Sequence, residues 1–433
     1  MTHLTDRSTE PPVKGFSTLT IPHPGTMTLP NGIELYTIDA GDQPINRITV
    51  SFDSGLMEAH VPDALQLATQ LLREGTESYS GSSISETLDY HGAWLKCDAM
   101  SHNSAVSLWS LNKSTVRLLP VLKELLLKPT FPEKEFMTLR DKHKAKFMLS
   151  QKNVSFIAAM TDKKLVFGEK HPMSRIVDAN EIESLSTDDI RTAYSNAFSL
   201  APKVFVTGEI KELLPEIIDF FSKLEYKPSD SAQQIIMPMQ PTIGTTTVVS
   251  DVDAEHQAAI AMSIPSIDRS HCDYIPLRLV TMALGGYFGS RLMTNIREDK
   301  GYTYGIQANL LGYREGGVIS IMTNTAPQYI DAVIDEVKHE LMRLREQKMG
   351  DDELAVVKNN AMTSLAAILD TPFSIMDMYI SQFHTGTPKD YFEKQVQAIK
   401  SLTADDILEL SQKYLDADNL LISIARPAAG NAV

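Results

Sequence analysis

An arginine, a glycine and a tyrosine lie close together in the segment LGGYFGSRLMTNIREDKGYTYGI, which covers residues 284–306. The pattern predicts a helix end carrying Arg297, a reversal at Gly301 and a returning strand carrying Tyr304. A guanidinium offers a planar fork of donors to a peptide carbonyl or carboxylate, and a tyrosine hydroxyl can donate to an oxyanion. The structural alternative is that Arg297 pairs with a neighbouring carboxylate such as Glu298 or Asp299, while Tyr304 packs under a helix.

The rest of the sequence offers no motif for metal or nucleophilic catalysis. Of the eleven histidines, no two stand three or four residues apart, and neither H-E-x-x-H nor H-x-x-E-H occurs. The sequence also lacks a G-x-S-x-G turn and a phosphate-binding loop. Its two cysteines, Cys97 and Cys272, are far apart and in no metal or redox spacing.

Composition limits the class of partner. The net charge of -15 argues against a nucleic acid or an anionic membrane, which would call for a basic surface. No stretch approaches the roughly 18 consecutive apolar residues that a membrane span needs. The first residues lack the apolar segment of a signal peptide. We therefore expect a cytoplasmic location, with a periplasmic one left open because a trimmed chain would look the same.

The elements that position these residues occur twice along the chain. In each half a helix ends at a glycine, Gly75 or Gly285, and a second helix leads to another glycine, Gly92 or Gly301. Two strand-like runs and two long helices follow in both halves. The same order of elements at a separation of about 210 residues indicates a duplicated unit.

A chain of 433 residues is too long for one hydrophobic core, so two domains are expected. We predict an α+β fold with two homologous domains of about 210 residues, each with helices packed on a mostly antiparallel sheet. The predicted N-terminal domain covers residues 1–224 and the C-terminal domain residues 248–433. Residues 225–247, rich in Pro, Ser and Gln, are predicted to be the linker.

The order of elements and the Arg297, Gly301 and Tyr304 spacing resemble the inverzincin metallopeptidases, the family of pitrilysin, insulinase and the mitochondrial processing peptidases. The resemblance covers most of the chain in element order, but only this segment is specific residue by residue. It implies that Arg297 and Tyr304 act across a cavity on a peptide bound at a first-half zinc ion. Tyr302, two residues before Tyr304, would help to line the substrate site together with Gly301.

The first half departs from this family where active members carry H-x-x-E-H before a Gly-Thr pair. Counting back from Gly75 places the corresponding positions at Gln66, Thr69 and Gln70, and the distal glutamate falls near Lys146. Zinc prefers His, Cys or carboxylate ligands, so two amides, a hydroxyl and an ammonium form a very poor set. The chain is expected to hold no zinc and to hydrolyse no peptide by itself.

The resemblance extends to bacterial enzymes of two different chains, one with the zinc motif and the other with the Arg and Tyr. The sequence resembles the second kind. It predicts a non-catalytic subunit of a heterodimeric zinc endopeptidase, with zinc in a homologous partner and a peptide as substrate. Two alternatives stay open: a purely structural scaffold subunit, and a homodimer that binds peptides without cutting them.

Overall fold

The computed structural model describes residues 8, 19–175, 178–226, 237–254, 256–314 and 316–428. The strands of the first half are β1 (Gly25–Thr28), β2 (Glu34–Asp39), β3 (Ile45–Phe52), β4 (Trp94–Ala99), β5 (Ser104–Leu111) and β6 (Lys203–Gly208). Its helices are α1 (Pro62–Leu71), α2 (Gly81–Tyr90), α3 (Asn112–Leu127), α4 (Glu133–Ser150), α5 (Val154–Phe167), α6 (Ala179–Ser184), α7 (Thr187–Ala197) and α8 (Leu214–Ser222).

The second half repeats this pattern. Its strands are β7 (Thr246–Val252), β8 (Ala258–Ser266), β9 (Thr303–Gly312), β10 (Gly317–Thr325) and β11 (Leu421–Pro427). Its α-helices are α9 (Tyr274–Gly285), α10 (Ile330–Glu346), α11 (Asp351–Ile368), α12 (Pro372–Thr385), α13 (Tyr391–Ser401) and α14 (Ala404–Tyr414), and a π-helix covers Met293–Asp299. Strand β7 begins inside the predicted linker, of which residues 227–236 lie outside the described part of the chain.

Two sheets share one topology. The first has the strand order β1-β2-β6-β3-β5-β4 and the second the order β7-β11-β8-β10-β9. Without β1 the two orders match strand for strand, and each sheet has one parallel pair, β2 with β6 and β7 with β11. The helices that follow keep the correspondence, since α7 and α14 both begin with a capping box. The predicted α+β fold of two homologous domains is confirmed.

Helix α1, which carries the predicted degenerate zinc positions, folds as its apolar spacing predicts. Its apolar stripe is fully buried in the first-half core and consists of Ala64, Leu67, Ala68, Leu71 and Leu72. The buried face explains why this helix forms without a bound metal, because packing of an apolar stripe supplies most of a helix's stability in a protein.

Each half contributes one helix that packs on the sheet of the other half. Helix α5 of the first half packs on β8 and β11 of the second sheet, where Ser263 donates to the Asp162 carboxylate at 2.7 Å. Helix α12 of the second half packs on β6 of the first sheet, where His384 lies 2.8 Å from Ser51 and 2.7 Å from Asp53. Each sheet is therefore partly covered by a helix from the other half.

Among the helices that the structure describes, none is both long enough and apolar enough to cross a membrane.

Candidate functional site

The turn between the π-helix and β9 brings Arg297 and Tyr304 together. Tyr302 N donates to the Ile296 carbonyl at 3.0 Å, which closes the turn. Gly301 has a φ of +66°, a left-handed conformation that glycine adopts without steric cost. π-helical turns are rare and occur frequently at functional sites.

Arg297 and Tyr304 line one groove of about 630 Å³ beside the edge strand β9. Tyr304 is 94% exposed, so the alternative in which it packs under a helix is wrong. The Arg297 guanidinium lies over the Phe288 ring, 4.5 Å from its centroid. Its distance to the Glu298 carboxylate is 3.9 Å, with both side chains partly exposed, which makes that ion pair weak. Both groups are thus available to a ligand in the groove.

The groove wall contains residues that motif reasoning missed. They are Phe288 and Met293 before the turn, Gln257 and Ala259 at β8, and Met322 and Asn324 on β10. Side chains alternate along β10, which puts Met322 and Asn324 on its exposed face. This two-residue period could have identified them from the sequence, although they belong to no motif. The wall therefore combines apolar surface with side-chain amides that can bond to a peptide backbone.

Tyr302 and Gly301 are placed differently from Tyr304. The Tyr302 ring stacks on Tyr329 with centroids 4.7 Å apart, and neither Tyr302 nor Gly301 is among the residues that line the groove. The Tyr302 carbonyl accepts a hydrogen bond from Thr325 at 2.6 Å. Tyr302 therefore anchors the start of β9, and its contact with a substrate stays a prediction.

The degenerate zinc positions lie at a second, smaller pocket of about 250 Å³. Gln66 and Lys146 line this pocket, whereas Thr69 is 1% exposed and donates to the Gln66 carbonyl at 2.9 Å. The helix spacing predicts that Thr69 lies on the same open face as Gln66, and this is wrong, because Thr69 is among the buried residues of the helix. Gln70 is not among the lining residues.

This pocket does not suit zinc. Its Gln66 amide and Lys146 ammonium are not zinc ligands, and the one imidazole, His143, has its Nε2 2.7 Å from the Asp63 carboxylate. The sequence analysis did not single out His143 or Asp63. His143 lies three residues before Lys146 on α4, and Asp63 lies three residues before Gln66 on α1. They form a structural pair between two helices.

One other group of possible ligands exists in the described part of the chain. His271, Cys272 and Asp273 have ligand atoms within 4.8 Å of one another. Asp273, however, already accepts hydrogen bonds from Lys413 and Tyr414, both at 2.7 Å. Its carboxylate is engaged within the fold.

Known proteins resemble this chain in sequence and in structure. Residues 184–361 match the family described as the peptidase M16 inactive domain. The non-peptidase homolog YmxG of Helicobacter pylori is 21% identical over 393 residues, which make up 88% of this chain and 89% of that protein.

Two solved structures show the same fold. The peptidase M16 inactive domain from Pseudomonas fluorescens superposes with a TM-score of 0.83, at 21% identity, over 94% of this chain and 98% of that one. The periplasmic protease PqqL from Escherichia coli superposes with a TM-score of 0.80, at 14% identity, over 95% of this chain and 46% of PqqL. The chain therefore matches nearly all of one solved structure and about half of another.

Proposed function

This chain belongs to the peptidase M16 family, and from that premise we propose that it is the non-catalytic subunit of a heterodimeric zinc-dependent endopeptidase. Its own sequence lacks the zinc motif, so the metal and the water-activating carboxylate belong to a homologous partner chain. Arg297 and Tyr304 are this chain's contribution to the shared site.

The observation that carries this proposal is the open groove with Arg297 and Tyr304 on its wall. The fully exposed Tyr304 and the oriented guanidinium of Arg297 present to the groove two side-chain types, tyrosine and arginine, that are enriched where proteins bind their partners. A scaffold subunit has no need of this pair, which favours the assisting role over a purely structural one.

The residues suit the binding of an extended peptide. Strand β9 pairs with β10 on one side, and its other edge has no strand partner in the described sheet. A peptide can add to such an edge through main-chain hydrogen bonds, with little dependence on sequence. Arg297 then donates to a peptide carbonyl, and the Tyr304 hydroxyl donates to the oxyanion that develops during cleavage.

The length of a single-chain relative supports a two-chain assembly. This chain covers 46% of the PqqL protease, with a similar fold over that share. We infer that this chain and a zinc-bearing homologue together supply what the longer protein holds in one polypeptide. A cytoplasmic location stays a prediction, and PqqL itself is a periplasmic protease.

The test is cleavage of an unfolded peptide by this chain mixed with a homologous chain that carries H-x-x-E-H. We expect activity from the mixture alone, and a loss of roughly 10²–10³-fold in kcat/KM for Tyr304→Phe, the usual effect of removing one oxyanion donor. Arg297→Ala should also lower the rate. Matched surface controls are Tyr90→Phe and Arg191→Ala, which lie away from the groove.

Two results would overturn the proposal. The first is full activity of the Arg297 and Tyr304 variants in the mixture. The second is a stable homodimer of this chain that binds peptide but gains no activity with any zinc-bearing homologue, which would favour the non-cutting peptide binder.

A further inference from the structure

A cavity of about 540 Å³ lies in the second half, between α9, α11, α12, α13 and the far end of β9. It shares no lining residue with the groove of Arg297 and Tyr304. Its volume falls within the roughly 300–1,000 Å³ of small-molecule sites. The apolar part of its wall is formed by Ile275, Leu279, Met282, Leu365, Ile368 and Met378.

The polar part of the wall is rich in hydrogen-bond donors. Arg269 and Arg278 both line the cavity, and none of the described lining residues is an aspartate or glutamate. Within the described part of the chain neither guanidinium forms an ion pair, although the protein carries a net charge of -15. No carboxylate on the cavity wall therefore neutralises the charge of these two arginines.

Two buried donors add to this pattern. Gln382 is 5% exposed, and its Nε2 has no hydrogen-bond partner among the described residues. The Nε of Arg269 is likewise buried without a partner in the same set of residues, while the rest of its guanidinium contacts Ser381 Oγ, at 3.4 Å from Nη1, and the Tyr274 hydroxyl. Buried side-chain donors nearly always have a partner, so these two suit a hydrogen-bond acceptor held inside the cavity.

We propose that this cavity binds a small monocarboxylic acid with an apolar body. A carboxylate accepts hydrogen bonds from a planar guanidinium and from an amide at the same time. The aliphatic wall would cover the rest of the ligand, which favours a hydrocarbon chain over a sugar or a nucleotide. This site is separate from the proposed peptide groove and does not depend on the proposed function.

Calorimetric titration of the full chain with decanoate, and with decanol as the neutral analogue, tests the proposal. We expect decanoate to bind at least about tenfold more tightly, because hydrogen bonds to a charged group exceed those to a neutral one. Gln382→Leu and Arg269→Met should each weaken decanoate binding about tenfold or more and leave decanol binding little changed. Arg191→Met is the control for the loss of a surface arginine.

A further variant distinguishes loss of ligand binding from misfolding. Ser364 is exposed and lies at the rim of the cavity, so Ser364→Trp should block entry while the melting temperature stays near that of the wild type. Loss of decanoate binding in this variant supports the site. Absence of decanoate binding in the wild type, equal affinity for decanol, or unchanged binding in all of these variants would overturn it.

Discussion

At the scale of single residues, the site depends on how Arg297 is held. Its guanidinium rests on the Phe288 ring, and Phe288 itself is 62% exposed. A cation–π contact at an exposed position contributes about 0.5–1 kcal/mol. That contribution orients the guanidinium toward the groove in the absence of a strong carboxylate partner.

Replacing this ring tests the orienting role. Phe288→Ala should lower kcat/KM of the proposed two-chain enzyme about two- to fivefold, the rate equivalent of the lost contact. Phe288→Tyr should retain the rate because it keeps an aromatic face, and Tyr90→Ala serves as a control for loss of an exposed ring. Equal losses for the Ala and Tyr variants would contradict the assignment.

Gly301 is the residue whose backbone conformation decides the turn. A Cβ at this position would meet nothing within 4 Å, so only the φ of +66° opposes substitution. Gly301→Ala should therefore lower the free energy of unfolding by about 1–2 kcal/mol, and Gly301→Asn by less, since Asn tolerates the left-handed region. Urea unfolding measures both, and an unchanged Ala variant would show that the turn adopts another conformation.

At the scale of elements, α5 carries a carboxyl group into the interface between halves. Burial raises the pKa of Asp162 to about 6, and the hydrogen bond from Ser263 opposes the shift only in part. Between about pH 4 and pH 6 the Asp162 carboxyl keeps its proton in the native state but has lost it in the unfolded state. Stability must therefore fall as pH rises through this window.

Asp162→Asn removes this titration and keeps a side-chain oxygen for Ser263. The stability of the variant relative to the wild type should increase by about 2 kcal/mol between pH 4 and pH 7.5, most of the free energy that corresponds to the raised pKa of Asp162. Urea unfolding at a series of pH values measures the difference, with the exposed Asp188→Asn as control. A difference that is constant with pH would contradict the buried state of this carboxyl.

The helices and strands could be predicted from the sequence much better than the contacts between them. The apolar stripe of α1 and the duplicated order of elements are local or periodic signals, and both match the structure. The exchange of α5 and α12 joins residues more than 100 positions apart, such as Asp162 and Ser263, and leaves no periodic trace. Tyr302 shows the same limit, because its stacking on Tyr329 depends on a tertiary contact.

At the scale of the whole molecule, the exchanged helices couple the two halves. Both tryptophans, Trp94 and Trp109, lie in the first sheet with ring centroids 4.9 Å apart. The Trp109 ring also contacts Phe373 of α12, at 4.6 Å between centroids. Tryptophan fluorescence thus reports on the first half and its contact with α12, whereas circular dichroism reports on both halves.

These two probes test the coupling. Because each sheet relies on a helix from the other half, urea unfolding curves followed by fluorescence and by circular dichroism should coincide. Separate midpoints, with the fluorescence change preceding or following the loss of helix, would show that the halves unfold independently.

The central claim is that this chain holds no zinc and that its groove serves a metal held elsewhere. Elemental analysis of the purified chain, dialysed against zinc and then against buffer, tests this most directly. We predict far less than one zinc ion per chain, because Gln66, Thr69 and Lys146 offer no suitable ligands. One tightly held zinc ion per chain, lost on substitution of Gln66, would contradict the account.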